Sequence, residues 1–273
     1  MAMATHDSGA RWKTFLSEAK EQEITLLLSG QTASPVIDVS FHELTGFDPE
    51  FAEDILISPR LIISSGHKTL SEICRDRGVD LDAMIRLSDL PKDTMRPLRE
   101  IGSRDIDKLR SLDVIVTKMS QLKPRIHLAV FQCETCGETQ QIDQTNESEL
   151  VEPIRCPPDT GCGASIRGND STRFNLVMNI SRMINNQWLE IQELPENVPS
   201  GAQPSRAQVL LEGDLVNKHL PGQRITANVI PVVRSEIKKN KKTPMFDIIY
   251  HMVSSTHESV PFTEIKISDE ERT

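Results

Sequence analysis

Ile126-His127-Leu128-Ala129-Val130-Phe131-Gln132-Cys133-Glu134-Thr135-Cys136-Gly137 decides how this 273-residue chain is read. Its first half is β-branched and apolar, the pattern of a strand, and it runs directly into a cysteine pair. A second pair follows in Cys156-Pro157-Pro158-Asp159-Thr160-Gly161-Cys162-Gly163, so the spacing is C-x2-C-x19-C-x5-C. Thiolates so spaced can wrap one zinc ion tetrahedrally, each pair forming a knuckle that points sulfurs and backbone amides at the same point. Both pairs end in Cys-Gly, and glycine lets the chain turn tightly beneath a metal-bound sulfur. Four thiolates close the shell and leave no position for water, so the site reads as structural. Disulfides and unrelated free thiols are the competing readings. With no apolar signal-peptide core, a reducing compartment is expected, which disfavours disulfides. Four of five cysteines clustered in one polar stretch disfavour unrelated thiols. The second pair requires residues 157–161 to bulge outward before returning to the metal, and His127 is a candidate substitute ligand. Cys74, at helical spacing from Leu70 and Ile73, reads as a buried core thiol.

Outward from this stretch, short strands recur on both sides. Val114-Ile115-Val116-Thr117-Lys118-Met119 precedes it. After the second pair come Phe174-Asn175-Leu176-Val177-Met178, Gln187-Trp188-Leu189-Glu190-Ile191, Ala207-Gln208-Val209-Leu210-Leu211 and Arg224-Ile225-Thr226-Ala227-Asn228-Val229-Ile230. Strands turned by Gly and Pro, with one short helix near 214–218, make a small closed barrel, and an OB-fold is the economical choice. The cysteine module is then an excursion between two barrel strands. The first 90 residues or so read as helical: Trp12, Phe15, Leu16 and Ala19 share one face of a helix that should stop near Gly30. An extended piece spans 36–41. Asp48-Pro49 and Ser58-Pro59 are helix starts with proline at the first helical position, the second helix running to Gly78. This part carries many acidic residues and no evident chemistry, and the opening Met-Ala-Met-Ala-Thr-His is expected to be an expression remnant.

The expected class is therefore α+β in several parts: an N-terminal helical bundle over 1–95, and a five-stranded OB barrel with a long β-hairpin over 96–130 and 168–265. A zinc-ribbon-like insertion covers 131–167, and 266–273 begin a linker.

A formal charge of −9 disfavours nucleic-acid binding taken alone. The basic residues are, however, concentrated. Between Val232-Val233 and Phe246-Asp247-Ile248-Ile249-Tyr250 lies a polar centre holding Arg234, Lys238, Lys239, Lys241 and Lys242 against Glu236. Apolar, strand-forming flanks around an Asn-containing middle predict a hairpin with a basic tip, a probe for phosphates. The bland alternative is a solvated loop. Hydrophobic residues make up 37% of the chain and aromatic ones 4%, and no apolar run approaches a membrane span, so no membrane partner is expected. His42, His67, His219, His251 and His257 are scattered without ligand spacing, which argues against a zinc hydrolase. No G-x-x-x-x-G-K-[ST] occurs, so nothing in this chain cradles a triphosphate.

Pro97-Leu98-Arg99-Glu100-Ile101, Val114-Ile115-Val116-Thr117-Lys118-Met119-Ser120, Leu122-Lys123-Pro124-Arg125-Ile126 and the Phe131-Gln132-Cys133 knuckle resemble the N-terminal region of minichromosome maintenance (MCM) replicative helicases. So do Leu189-Glu190-Ile191-Gln192-Glu193-Leu194-Pro195-Glu196-Asn197-Val198-Pro199-Ser200-Gly201, Asp214-Leu215-Val216 and Pro221-Gly222. The lack of large insertions is more like an archaeal member than a eukaryotic one. The resemblance implies a helical subdomain, a zinc-binding subdomain and an OB-fold lining the channel of a homohexameric ring. In that family the basic hairpin touches DNA, and zinc modules help two rings meet head to head as a double hexamer. The segment 193–206 resembles a loop that relays nucleotide state from a C-terminal ATPase domain, which would carry ATP and Mg2+ and which this chain lacks.

Partners implied are single- and double-stranded DNA, other copies of the chain, and that ATPase domain. The fragment itself is expected to be no enzyme, its parent an ATP-dependent DNA helicase. The implied location is cytoplasmic and nucleoid-associated in an archaeon, nuclear in a eukaryote. Lys118, Lys123 and Arg125 match basic positions on the first strands. Two positions depart: the family usually has a basic residue near Glu190, which here opposes phosphate, and arginine at Ser205. Arg206 is displaced by one, which on a strand turns it to the opposite face. Asn228 stands where glycine is common. Candidate base-stacking aromatics are few (Phe131, Trp188, Phe246, Tyr250), so affinity is expected to come mainly from phosphate neutralisation. A stand-alone zinc-ribbon and OB factor acting in transcription or translation is the alternative.

Overall fold

The computed structural model describes residues 2–32, 34–144, 149–167, 171–238 and 241–257, and among these all side chains except those of 2–6, 235–238 and 241–243. The linker expected at 266–273 lies outside the described residues. Five helices and ten strands follow one another: α1 (Ala2–Ala19), α2 (Glu21–Leu28), β1 (Val36–Ser40), α3 (Phe41–Phe47), α4 (Pro49–Ile57), α5 (Pro59–Asp76) and β2 (Met84–Ser88) form the first part. Then come β3 (Arg110–Met119), β4 (Lys123–Cys133), β5 (Thr139–Asp143), β6 (Phe174–Leu176), β7 (Arg182–Glu193), β8 (Arg206–Glu212), β9 (Arg224–Lys238) and β10 (Lys241–His257).

The single helix expected up to Gly30 is broken in two at Lys20, whose backbone leaves the helical region. Its ammonium is nearly buried and is held by Glu23 at 2.8 Å and Glu43 at 2.9 Å, so the break is fixed by an ion-paired side chain. Asp48 caps α4 as expected, its carboxylate accepting from the Phe51 amide at 3.0 Å with Pro49 at the first helical position. Ser58 caps α5 without a side-chain bond. Two elements have no counterpart in the sequence reading: α3, opened by a Ser40–Glu43 capping box, and β2, which pairs in parallel with β1. Trp12 meets Phe15 and Phe51 edge to face, at 6.0 and 5.2 Å between ring centres, and donates its indole N–H to the Ile62 carbonyl at 2.8 Å. Gly66 permits this approach, since a Cβ there would lie 2.8 Å from the Trp12 ring. Cys74 is buried in this core, and burial pushes its thiol up, as befits an inert packing residue.

In the barrel the strands run β3-β9-β10-β8-β7, and a further β3–β7 pairing closes the ring at five. Leu112, Val114 and Val116 from β3, Leu189 and Ile191 from β7, Val209 and Leu211 from β8, and Ile225, Ala227 and Val229 from β9 alternate inward and fill it. The helix expected near 214–218 is one 3-10 turn, Gly213–Leu215. β9 and β10 are the hairpin, 15 and 17 residues long, paired out to Lys238 opposite Lys241. The helical part and the barrel make one compact unit, and residues Leu122–Asn186 make a second.

That boundary corrects the expected 131–167 insertion. The ring closes from β3 to β7 without β4, which pairs instead with β5, β6 and residues 182–186 of β7. Its first three residues, Lys123-Pro124-Arg125, are exposed or half-buried, so an apolar run farther along the strand was mistaken for a barrel face.

Candidate metal centre and nucleic-acid interface

Within the second unit, the Sγ atoms of Cys133, Cys136, Cys156 and Cys162 all lie within 4.8 Å of one another. Cys133 to Cys162 is 3.7 Å and Cys136 to Cys156 is 3.6 Å. Disulfide sulfurs sit about 2.05 Å apart, so these are not bonded pairs. Four sulfurs about 2.3 Å from a tetrahedral zinc are about 3.8 Å from each other, which is the size of this cluster.

Each knuckle is built by its glycines. Gly137 turns at φ 77° and donates its amide to the Cys133 carbonyl at 2.9 Å, while the Cys133 amide bonds Glu138 at 2.8 Å. The expected bulge in the second knuckle is a turn in which the Gly161 amide reaches the Pro157 carbonyl at 2.9 Å. A Cβ on Gly161 would stand 2.4 Å from the Cys156 sulfur, so only glycine leaves room for the thiolate there. The Thr172 hydroxyl, 3.3 Å from Cys133 Sγ, draws that thiol down to about 6, toward the thiolate that a metal needs. Burial instead pushes Cys156 up to about 12, the penalty a cation would offset. The four residues therefore fit a closed-shell, thiophilic metal ion. Among the described residues His127 is outside the cluster.

The expected cationic positions are divided. Lys118 on β3 and Arg206 at the start of β8 converge on Glu190 of β7: Lys118 Nζ is 3.3 Å and Arg206 Nη1 3.6 Å from its carboxylate. Arg206 also donates from Nε to Gln192 at 3.0 Å. The expectation that Arg206 turns away is not met, because the guanidinium reaches two β7 side chains that share one face. Arg234, across from Asp247 on β10, lies over the Trp188 ring at 5.9 Å. Lys123 and Arg125 belong to the second unit, where Arg125 donates to the Gln144 carbonyl at 3.0 Å. Lys238 and Lys241 are the last cross-strand pair of the hairpin and Lys242 stands opposite Ile237. Lys239 lies outside the described residues.

A family model described as the MCM OB domain matches residues 97–234, just over half of the chain. The chain belongs to the MCM family.

The solved structure titled "1.8 Angstrom Crystal Structure of the N-terminal Domain of an Archaeal MCM" superposes on this MCM chain with a TM-score of 0.80 at 26% identity, covering 93% of this chain and 100% of that one. Minichromosome maintenance protein MCM of Saccharolobus solfataricus is 28% identical over 248 residues, 85% of this chain and 34% of that protein. DNA replication licensing factor mcm4-B of Xenopus laevis is 26% identical over 251 residues, 87% of this chain and 28% of that protein. The MCM chain thus spans about a third or less of the length of these relatives.

Three features of the MCM chain escaped sequence reasoning. Arg99 grips Glu193 with bonds of 2.8 and 2.6 Å, and Arg224 pairs with Glu196, so the relay-like segment is fastened at its start. The arginine holds the Glu193 carboxyl below its usual range. Asn228, where glycine is common, is buried and bridges Ser111 at 2.7 Å and Ser254 at 2.8 Å, the latter hydroxyl donating to the Leu87 carbonyl. Arg99 and Glu193 both stand in stretches that resemble the family, but 94 residues apart their pairing leaves no local signal.

Proposed function

We propose that this chain is the N-terminal, DNA-binding unit of an ATP-dependent replicative helicase, ringing single- and double-stranded DNA in the channel of a homohexamer. The observation that carries this reading is the family match laid on a closed five-stranded barrel whose fold agrees with the whole of an archaeal MCM N-terminal domain. One zinc ion held by Cys133, Cys136, Cys156 and Cys162 would stabilise the second unit, with no open position for chemistry. Arg234 and the hairpin lysines Lys238, Lys239, Lys241 and Lys242 would meet phosphates, assisted by Lys118, Lys123, Arg125 and Arg206. Affinity drawn from phosphates is indifferent to base sequence, as a translocating ring requires. ATP and Mg2+ would act in a C-terminal ATPase domain, so the chain alone hydrolyses no ATP. Head-to-head assembly through the zinc units, and a place on the nucleoid of an archaeon or in a eukaryotic nucleus, belong to the same reading.

The test is DNA binding by the purified chain across a salt series, with mixed-sequence single and double strands. Binding that weakens linearly in log–log coordinates and ignores sequence supports the reading. Failure to bind DNA at low salt, or binding confined to RNA by a monomer, overturns it in favour of a stand-alone factor.

A further inference from the structure

On β3 and β7 the pairing slips: Val116 opposes Ile191, yet Lys118 opposes Glu190, so Thr117 and Lys118 share one partner. This is a β-bulge, and bulges re-aim side chains. Here it brings two successive β3 side chains onto the Glu190 carboxylate. Thr117 donates its hydroxyl to the Glu190 main-chain carbonyl at 2.9 Å and approaches Oε1 at 3.2 Å. Lys118 Nζ donates to Oε2 at 3.3 Å, and Arg206 Nη1 closes the third side at 3.6 Å. Two cations and a hydroxyl thus converge on the oxygens of one anion.

We propose that Thr117, Lys118 and Arg206 form a phosphate subsite that Glu190 occupies from within, as an internal stand-in for a nucleic-acid phosphate. The cradle is built from one hydroxyl donor and two charged donors, the set that recognises a phosphodiester oxygen pair. Its cations are exposed, at 71% for Lys118 and 60% for Arg206, while the carboxylate between them is 26% exposed. Exposed ion pairs contribute little, so the carboxylate competes with an incoming phosphate without shutting it out. The Lys118 and Thr117 bonds outweigh desolvation and hold the Glu190 carboxyl below its usual range, so the stand-in stays charged. The consequence is a barrel wall that grips a strand weakly and releases it readily. Removing the carboxylate should turn that wall into a strong site.

This inference rests on the DNA-binding reading, and the experiment separates the two. Labelled mixed-sequence single strands are titrated with the parent chain, Glu190→Gln, Lys118→Ala/Arg206→Ala, and the triple variant, over a salt series. Glu190→Gln is isosteric at a surface position, and an unchanged melting midpoint checks its fold. It should bind about tenfold tighter near 0.1 M salt, with a log–log slope steeper by about 1.4, since two freed cations each add about 0.7. The triple variant should lose that gain. The inference is overturned if Glu190→Gln binds like the parent while Lys239→Ala/Lys241→Ala weakens binding, an outcome that spares the DNA-binding reading. It is also overturned if removing Lys118 and Arg206 costs the parent as much as it costs Glu190→Gln, because the cations would then already be engaged. Absence of DNA binding by every protein, Glu190→Gln included, overturns both.

Discussion

Arg86 of β2 and Asp214 of the turn after β8 form an ion pair sealed from water, with Nη2 donating to Oδ1 at 2.6 Å and the side chains 8% and 4% exposed. The guanidinium also donates to the Glu212 and Val253 carbonyls at 2.9 and 3.1 Å, and Lys218 meets the other Asp214 oxygen at 2.7 Å. Every donor facing the barrel is used, which is the condition for a buried charge to be tolerated. This pair, the Asn228 bridge and the apolar contacts of Leu109, Ile230 and Val253 join the helical part to the barrel.

Arg86→Ala should therefore destabilise the chain by about 3–5 kcal/mol, because it strands a buried carboxylate. Chemical unfolding measures this, and Arg86→Met/Asp214→Leu should cost clearly less than the single change. Burial alone would raise the Asp214 carboxyl above its ordinary 3.8, but Arg86 and Lys218 outweigh it and lower it. The contribution is thus complete above about pH 4 and disappears as pH falls through the lowered value. A loss under about 1 kcal/mol for Arg86→Ala would deny the pair its joining role.

Metal content gives the second prediction. The chain should carry one zinc, and Cys136→Ser should lose it and loosen residues 122–186 while the barrel unit keeps its cooperative unfolding. Stoichiometric zinc in a variant lacking both Cys156 and Cys162 would refute the ligand set.

A third prediction concerns acid. Burial holds His67 and His219 down to about 4, the first donating to the Ile85 carbonyl at 3.2 Å beside Arg86, the second packed on His257 and next to Lys218. Both imidazoles stay neutral in the folded chain, whereas in the unfolded chain they take up protons below about 6.5. Stability is therefore full above about pH 6.5 and falls between 6.5 and 4, by up to about 1.4 kcal/mol per pH unit for each ring. Glutamine at both positions should flatten the melting midpoint across that window. An unchanged pH slope would place the acid sensitivity elsewhere.

The hairpin supplies the fourth. Lys239→Ala/Lys241→Ala should weaken binding to single and double strands alike and lower the salt slope by about 0.7 to 0.9 for each phosphate that is no longer neutralised. Parent-like affinity at every salt concentration would make these lysines a solvated tip.

The cysteine cluster and the barrel were legible because their signals are local: ligand spacing, Cys-Gly turns and alternating apolar strands. The same alternation misled at β4, where an apolar run at 126–131 looked like barrel wall; strand periodicity reports that a face is buried, not against which sheet. β2 was invisible for a related reason, since Met84–Ser88 has no alternation and its parallel partner β1 lies far back in the chain. The break at Lys20 depends on Glu43, which no window around the helix contains. Arg206 was expected to turn away because strand parity was applied to Cβ direction, while the long guanidinium reached Glu190 regardless. The bulge at Thr117 that gathers this cluster is a property of pairing and leaves no mark in either strand alone.

Ring formation on DNA is the centre of the account, and mass in solution tests it most directly. Native mass spectrometry or sedimentation of the zinc-loaded chain, with and without a single strand long enough to thread a ring, should give a discrete species of six chains with DNA bound. A strict monomer at every concentration, with DNA and without, would contradict it.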